Sequence, residues 1–455
     1  MKRRIILSAA VVFVVLQCTE PVNANSAQTS WQGTDTSGTA ITDEECPVIV
    51  EHEDLTFTLP NLPDQAERGY NNRFTAEYTF VNPSDVTAEV LLSFPLGNEP
   101  AYYKYDIFDA SHYHPERDDY EISADGKPIE SIDRYTYHPW ESFSITEELN
   151  LLRDDYLTDD FYKPDTEVYI YTFHFDYDHD QKRYTWVQAD LPCDPDIRRY
   201  TSDSEFMSKA SGDIFQIRFQ LTDIIHPDDL YHLYVIGKPL DEIPSWQPEI
   251  ETDKADCEFI GQEKISFEDY IFLNYEENSD ISKVDYYNAS VSQIQDTFLN
   301  VCSFSRFRLS DFLMHWKQYK LVFKPRQQIV NNVSGPAYPN VNTSYIPYTY
   351  EYTYLLTPAS TWKSFGSLDI TVESELKMLD SSIGDFTSTE KGYSKHLDTL
   401  PDQDLSFSLC RSTDPAHKAE PLSPLLLWYL ILFGGPVILA AKLIHNVSKK
   451  NDKKE

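Results

Sequence analysis

The chain has 455 residues and a formal net charge of −36 at pH 7, from 74 acidic and 38 basic side chains. A surface this acidic repels nucleic acid, so we predict no nucleic-acid partner. Glycine is scarce (14) beside tyrosine (31) and phenylalanine (25), which disfavours glycine-rich phosphate loops and favours β-strands.

Residues 1–24 have the composition of a secretory signal peptide. Lys2, Arg3 and Arg4 precede the apolar run Ile5–Leu16, and small residues up to Ala24 fit a cleavage site. A permanent N-terminal anchor would need a longer apolar run. Residues 25–50 are polar, rich in serine and threonine at first and without periodicity, so we expect a flexible leader.

Alternating apolar and polar residues predict an extracytoplasmic antiparallel β-sandwich domain over residues 51–245. The clearest signal is Phe74–Phe80 followed by Val86–Phe94, which we expect to pair as a hairpin across an Asn-Pro turn. A second hairpin is predicted at Tyr120–Ile129, around Asp-Gly. The other predicted elements are a short helix at Glu147–Leu157, which is the helical insertion, and strands at Val168–Phe175, Arg183–Leu191, Ile214–Leu221 and Tyr231–Gly237.

Residues 246–415 are predicted to form a second β-rich domain, with helices near residues 285–319. The proline-containing, charged segment Glu242–Asp256 is the predicted linker. Apolar residues at helical spacing predict helices within Asp280–Asn300 and Leu309–Tyr319, and Asn331–Asn342 is expected to be a loop. Further strands are predicted at Lys320–Phe323, Tyr345–Leu356, Ser367–Glu373 and Leu405–Leu409.

The stretch Leu422–Ala441 carries no charge over twenty residues. As a helix it would be about 30 Å long, the thickness of a bilayer's hydrocarbon core. Lysines follow it, so we predict a transmembrane helix at 421–441 and a cytoplasmic tail at 442–455. The chain is thus expected to be a single-pass protein of the cell membrane, with its N-terminus and its bulk outside.

Three short patterns could carry chemistry, and each has a simpler explanation. Asp176, Asp178 and Asp180 alternate like the first ligands of a calcium loop, but Gln181 stands where glycine is needed and Val187 where glutamate is needed. An acidic turn that binds cations at most weakly therefore explains them better.

The second pattern is Ser360 with Lys363, which matches the Ser-x-x-Lys nucleophile motif. The companion motifs are missing downstream, so Ser360 is predicted to be structural. The third pattern is His112, His114 and Glu116, which could ligate zinc but lack an identifiable further ligand. No catalytic residue and no cofactor is predicted.

Two stretches resemble one family. Phe74–Pro95, an alternating strand, an Asn-Pro turn and a strand ending in Phe-Pro, resembles the opening hairpin of uncharacterised bacterial exported, membrane-tethered β-sandwich proteins. Tyr352–Val372 is similar to their later strand–Trp–Gly–strand signature. The resemblance implies a β-sandwich fold and a location at the cell membrane, and it brings no catalytic residue.

The sequence favours a non-catalytic module that binds a protein or an envelope component outside the membrane. Loop tyrosines such as Tyr103, Tyr135 and Tyr137 are the expected contact residues. The alternative is a hydrolase that acts on envelope material, with active-site residues scattered through the fold. A deep cleft with converging acidic or histidine side chains would favour the hydrolase, and a flat aromatic or edge-strand surface the binder.

Overall fold

The chain folds mainly as β-strands with few helices, which confirms the predicted mainly β class. The computed structural model describes residues 30–31, 36–41, 46–60, 71–97, 120–138, 145–177, 185–192, 196, 198–201, 208–210, 214–221, 230–249, 255–275, 277, 280–300 and 313–418. None of the helices in these ranges is long and apolar enough to cross a membrane. The predicted signal peptide, transmembrane helix and tail lie outside these ranges.

The regular elements fall into twenty-eight described strands and three described α-helices. The strands up to residue 266 are β1 (Ser30–Trp31), β2 (Thr36–Ser37), β3 (Ala40–Ile41), β4 (Ile49–Thr58), β5 (Arg73–Val81), β6 (Ala88–Gly97), β7 (Glu121–Ala124), β8 (Lys127–Pro128), β9 (Ile132–Tyr137), β10 (Glu167–Tyr177), β11 (Thr185–Pro192), β12 (Arg198–Thr201), β13 (Ser208–Ala210), β14 (Ile214–Leu221), β15 (Leu230–Ile236), β16 (Gln247–Pro248) and β17 (Ala255–Ser266). The later strands are β18 (Leu313–Phe323), β19 (Gln328–Pro336), β20 (Asn340–Asn342), β21 (Tyr345–Ile346), β22 (Thr349–Leu355), β23 (Phe365–Glu373), β24 (Lys377–Ser381), β25 (Thr387–Ser388), β26 (Gly392–Leu397), β27 (Leu405–Cys410) and β28 (Ala416–His417). The α-helices are α1 (Ile145–Leu151), α2 (Phe267–Phe272) and α3 (Lys283–Asn300).

The larger of two β-sandwiches has an eight-stranded sheet as one layer, in the order β25-β26-β23-β4-β5-β19-β7-β8. A sheet containing β22 and β27 and the sheet β3-β6-β18-β9 contribute to the same core. Aromatic side chains fill this core. The rings of Phe74 and Phe94, for example, stack at 5.8 Å between centroids, and each such buried side chain contributes about 1.5–3 kcal/mol.

The predicted pairing of Phe74–Phe80 with Val86–Phe94 is wrong, because the two strands belong to different sheets. Strand β5 pairs with β4 and β19, whereas β6 pairs with β3 and β18. Asn82 holds the connection between them: its side-chain amide donates to the carbonyls of Val86 and Lys324 at 2.8 and 3.1 Å. Two strands that alternate have the same pattern whether they lie side by side or face each other across a core.

The second predicted hairpin is confirmed as β7 and β8. Asp125 and Gly126 have φ angles of 48° and 72°, as a two-residue turn with positive φ at both positions requires. Strands β4 and β23 instead pair in parallel at the centre of the eight-stranded sheet, although they are more than 300 residues apart.

The smaller sandwich packs the sheet β12-β15-β10-β17 on the sheet β13-β14-β11-β16. Trp246, from the predicted linker, is buried in its core, and β17 pairs along the whole length of β10. The predicted boundary at residues 245 and 246 therefore falls between strands that share a sheet. Next to this sandwich, α2 and α3 form an apolar cluster with the ends of β10 and β15.

Four local predictions differ from the structure. The helix predicted at Leu309–Tyr319 is wrong, since the described part is strand β18, and a register shift after His315 interrupts its alternation. The loop predicted at Asn331–Asn342 contains most of β19 and all of β20. The leader at 25–50 contributes β1–β3 and the start of β4, with Thr39 fully buried. The helix predicted at Glu147–Leu157 is shorter, as α1. In the first three cases, pairing with distant strands overrides local propensity.

Candidate functional site

The outward face of the eight-stranded sheet is polar, because its strands alternate between core and solvent. Residues paired side by side across five adjacent strands all carry hydroxyl groups: Ser394, Thr371, Thr56, Thr75 and Ser334. Two of these hydroxyls, on Thr75 and Ser334, hydrogen-bond at 3.1 Å. On one side of this row lies a group of charged residues on the same face, and on the other side, at the end of the strands, lies a second group.

The first group is the His52 cluster, which we define as His52, Asp54, Asp369 and His396. The ring Nε2 of His52 lies 3.2 Å from Asp54 Oδ2 and 3.5 Å from Asp369 Oδ2. His396 Nδ1 lies 2.7 Å from Asp369 Oδ1. The pKa of His396 is raised, first by its hydrogen bond to Asp369 and then by that to Asp398.

The second group lines an open cleft of about 1100 Å³ at the end of β4, β23 and β26, which we call the end cleft. Glu373 is positioned there by a hydrogen bond from Thr58 Oγ1 at 3.2 Å, and Lys391 Nζ lies 3.6 Å from its carboxylate. Gly392 is needed at this edge, because its φ is 150° and a Cβ would lie 2.0 Å from the carbonyl oxygen of Val372. The close approach of β26 to β23 therefore fixes this edge of the cleft.

A carboxyl group is buried on the core side of the same strand. Glu53 lies between His52 and Asp54 in β4 but points inward, where its side chain is fully buried. The hydroxyl of Tyr354 donates to Glu53 Oε1 at 3.4 Å and is itself 3.1 Å from the hydroxyl of Tyr78. Burial raises the pKa of Glu53 to about 8. Because solvent does not reach it, this carboxyl belongs to the core and not to the cleft.

Of the residues singled out in the sequence, the structure describes Asp176 and Ser360. Asp176 is exposed near the end of β10, opposite Asp256 of β17, whereas Asp178, Asp180 and the His112 group lie outside the described ranges. Ser360 lies in a 3₁₀-helix, Thr357–Thr361, and its hydroxyl donates to the carbonyl of Thr357 at 2.6 Å.

The expectation that Tyr135 and Tyr137 are contact residues in a loop is wrong. Both lie in β9, and they are only 3% and 6% exposed. Conversely, sequence reasoning missed the His52 cluster and the end cleft. One local signal was available: His52 and Asp54 are two residues apart in a strand, so their side chains share a face. Asp369 and His396 have no such local signal, because only the pairing of β23 with β4 and β26 places them beside His52 and Asp54.

Comparison with known proteins assigns the chain to no group. No protein-family model and no curated protein matches it. Among solved structures, it is similar to a proposed nutrient-binding protein from Legionella pneumophila subsp. pneumophila str. Philadelphia 1. The TM-score is 0.33 and the identity 9%, over 84% of this chain and 72% of that chain. A likeness this distant carries no argument about fold or function.

Proposed function

We propose that the chain is a non-catalytic binding protein held at the outer side of the cell membrane, and that the end cleft is its ligand site. The observation that carries this proposal is the composition of the cleft wall, which has three carboxylates and three cations: Glu373, Glu375, Glu390, Lys377, Lys391 and Arg411. The cleft is open, and three cations accompany its three carboxylates, so it differs from the deep acidic cleft expected of a hydrolase. Its volume is of the order of known small-molecule sites. Walls of both signs suit a small zwitterion, such as a short peptide released from the envelope.

The ion pair between Glu373 and Lys391 is suited to exchange for a ligand. The side chain of Lys391 is 81% exposed, and its ammonium group lies 3.6 Å from the carboxylate. A surface pair of this kind contributes only about 0–1 kcal/mol. When a ligand carboxylate displaces Glu373 from Lys391, the free energy lost with the ion pair is therefore small. Thr58 still holds Glu373 in position to bind a ligand ammonium group.

The proposed location rests on the sequence at both ends of the described region. The signal peptide at 1–24 would export the chain, and the transmembrane helix at 421–441 would retain it. Arg411, in the wall of the cleft, precedes Pro421 by ten residues. A fully extended chain of that length spans at most about 35 Å. The end cleft would therefore lie close to the membrane surface.

The test is calorimetric titration of the detergent-solubilised protein with a zwitterionic tripeptide and with its acetylated and amidated forms. We expect binding of the free tripeptide, weaker binding of either blocked form, and a loss of roughly tenfold in Lys377→Ala or Lys391→Ala, because each removes a charge-assisted contact. The matched control is Lys264→Ala, an exposed lysine of the smaller sandwich that pairs with Glu167.

Three results would contradict the proposal. Binding that is equal for free and blocked peptides, or unchanged in both lysine variants, would exclude the end cleft as the ligand site. Cleavage products in the titration cell, lost in Glu373→Gln, would replace the binding function with the hydrolase alternative, for which the cleft's glutamates would supply the acid and base.

A further inference from the structure

We propose that His52, Asp54 and Asp369 bind a divalent metal ion of the zinc class on the outward face of the eight-stranded sheet. The row of hydroxyl groups separates this site from the end cleft. The proposal does not depend on the function proposed for the end cleft. Its three ligand atoms come from two strands that pair in parallel, with Asp54 directly beside Asp369. His52 precedes Asp54 by two residues, so all three side chains share one face.

The distances between the ligand atoms already fit a bound ion. An ion with tetrahedral bonds of about 2.1 Å holds its ligand atoms about 3.4 Å apart. His52 Nε2 lies 3.2 Å from the Asp54 oxygen and 3.5 Å from the Asp369 oxygen, and all three atoms lie within 4.8 Å of one another. An ion therefore fits between them with side-chain adjustments alone.

Neighbouring side chains orient two of the ligands. Ser367 Oγ lies 2.8 Å from Nδ1 of His52. When that nitrogen donates its proton to the hydroxyl, the lone pair of Nε2 faces the two carboxylates, as a metal ligand requires. On the other side, His396 contacts Oδ1 of Asp369 at 2.7 Å and leaves Oδ2 to face His52. Ser367 and His396 are therefore positioning residues.

The electrostatics of the site favour a dication. Two carboxylates side by side repel each other, and the acidic chain raises the local concentration of cations. The side chains of Asp54 and Asp369 are 54% and 43% exposed, so an ion enters directly from solvent. One imidazole and two carboxylates suit zinc, and cobalt or manganese less tightly. Three protein ligands leave a fourth position for water or for a group on a bound molecule.

The experiment is zinc titration of the full-length protein in detergent, after its metal has been removed with EDTA and the chelator dialysed away. We expect one zinc ion per chain, and a visible spectrum typical of tetrahedral cobalt when Co²⁺ replaces it. His52→Ala and Asp369→Asn should each weaken binding at least a hundredfold. Ser367→Ala should weaken it roughly tenfold, the loss typical of an outer-shell partner.

Matched variants distinguish this site from the other candidates in the chain. Asp176→Asn alters the acidic turn, and the double variant His112→Ala/His114→Ala alters the His-x-His segment; both should retain the ion. Circular dichroism of each metal-free variant checks its fold, and Asp369→Asn keeps the shape of the side chain. Retention of zinc in His52→Ala and Asp369→Asn, loss of zinc in either control, or no stoichiometric binding to the wild type would each overturn the proposal.

Discussion

Replacing Glu53 by glutamine should make the stability of the protein less dependent on pH. The carboxyl group is fully buried, and its Oε2 has no hydrogen-bond partner among the described residues. Burial, which outweighs the neighbouring tyrosine hydroxyls, raises the pKa of Glu53 from 4.5 to about 8. The folded protein therefore holds a proton there that the unfolded chain releases above pH 4.5.

The sign and the size of the effect follow from this difference in pKa. A raised pKa in the folded state contributes stability that is fully present below the unfolded value and is lost as the pH rises through the folded value. At about 1.36 kcal/mol per pKa unit, the total loss is about 5 kcal/mol, of which about half falls between pH 5 and pH 7. Glutamine keeps the shape of the side chain and has no proton to lose.

The assay is urea unfolding at pH 5 and pH 7, followed by tryptophan fluorescence, with EDTA present so that metal binding does not contribute. The free energy of unfolding of Glu53→Gln relative to the wild type should rise by about 2–3 kcal/mol from pH 5 to pH 7. Glu51→Gln, an exposed neighbour in the same strand, is the control and should follow the wild type. Parallel pH profiles for Glu53→Gln and the wild type would refute a buried, protonated Glu53.

Three other outcomes are expected. Asp285→Asn should lower the free energy of unfolding by about 3–5 kcal/mol, because Asp285 accepts hydrogen bonds from the buried Arg134 at 3.0 and 3.1 Å; a loss under 1 kcal/mol in urea unfolding would contradict this. Gly366→Ala should cost about 2 kcal/mol in the same assay, since its Cβ would lie 2.0 Å from a backbone oxygen of β4, whereas Gly261→Ala meets nothing within 4 Å and should be nearly neutral. A reporter active only in the cytoplasm should give signal when fused to Glu455, and silence would overturn the predicted topology.

Alternation in the sequence predicted where many of the longer strands lie but not which strands pair. The predictions at Val168–Phe175, Ile214–Leu221 and Ser367–Glu373 are confirmed by β10, β14 and β23, each to within two residues at either end. Pairing was predictable only where a turn decides it locally, as at Asp125 and Gly126. At Asn82 the connection crosses from one sheet to the other, and the same alternation fits pairing within one sheet as well as packing of two sheets. Side-chain hydrogen bonds from Asn82 to distant backbone decide between these arrangements.

The candidate site depends on these non-local pairings, so sequence reasoning could not assemble it. His52 and His396 are separated by 344 positions (396 − 52), and β23 lies between their strands. The calcium-like alternation at Asp176 was visible because its members are adjacent in the chain. Local patterns favour sites built from one segment, whereas a sheet face combines residues from several segments.

A single irregularity in β4 gives both the buried Glu53 and the outward His52 cluster. Val50 and Leu55 both face the core, yet they are five residues apart, so strict alternation cannot hold between them. The register against β5 shifts between Val50 and His52, which leaves Glu51 as the extra residue of a β-bulge. From there on, Glu53 points inward, and His52 is turned to the outward face.

The neighbouring strand is adapted to this bulge. Gly366 lies between the residues paired with Val50 and His52, and a Cβ on it would lie 2.0 Å from the carbonyl oxygen of Glu51. Any other residue would push β23 away from the bulge and move the carboxylate of Asp369 away from His52. Glycine at this position therefore allows the close approach of the two strands on which the distances within the His52 cluster depend. Since bulges recur next to functional sites, this pairing connects the local backbone geometry to the proposed metal site.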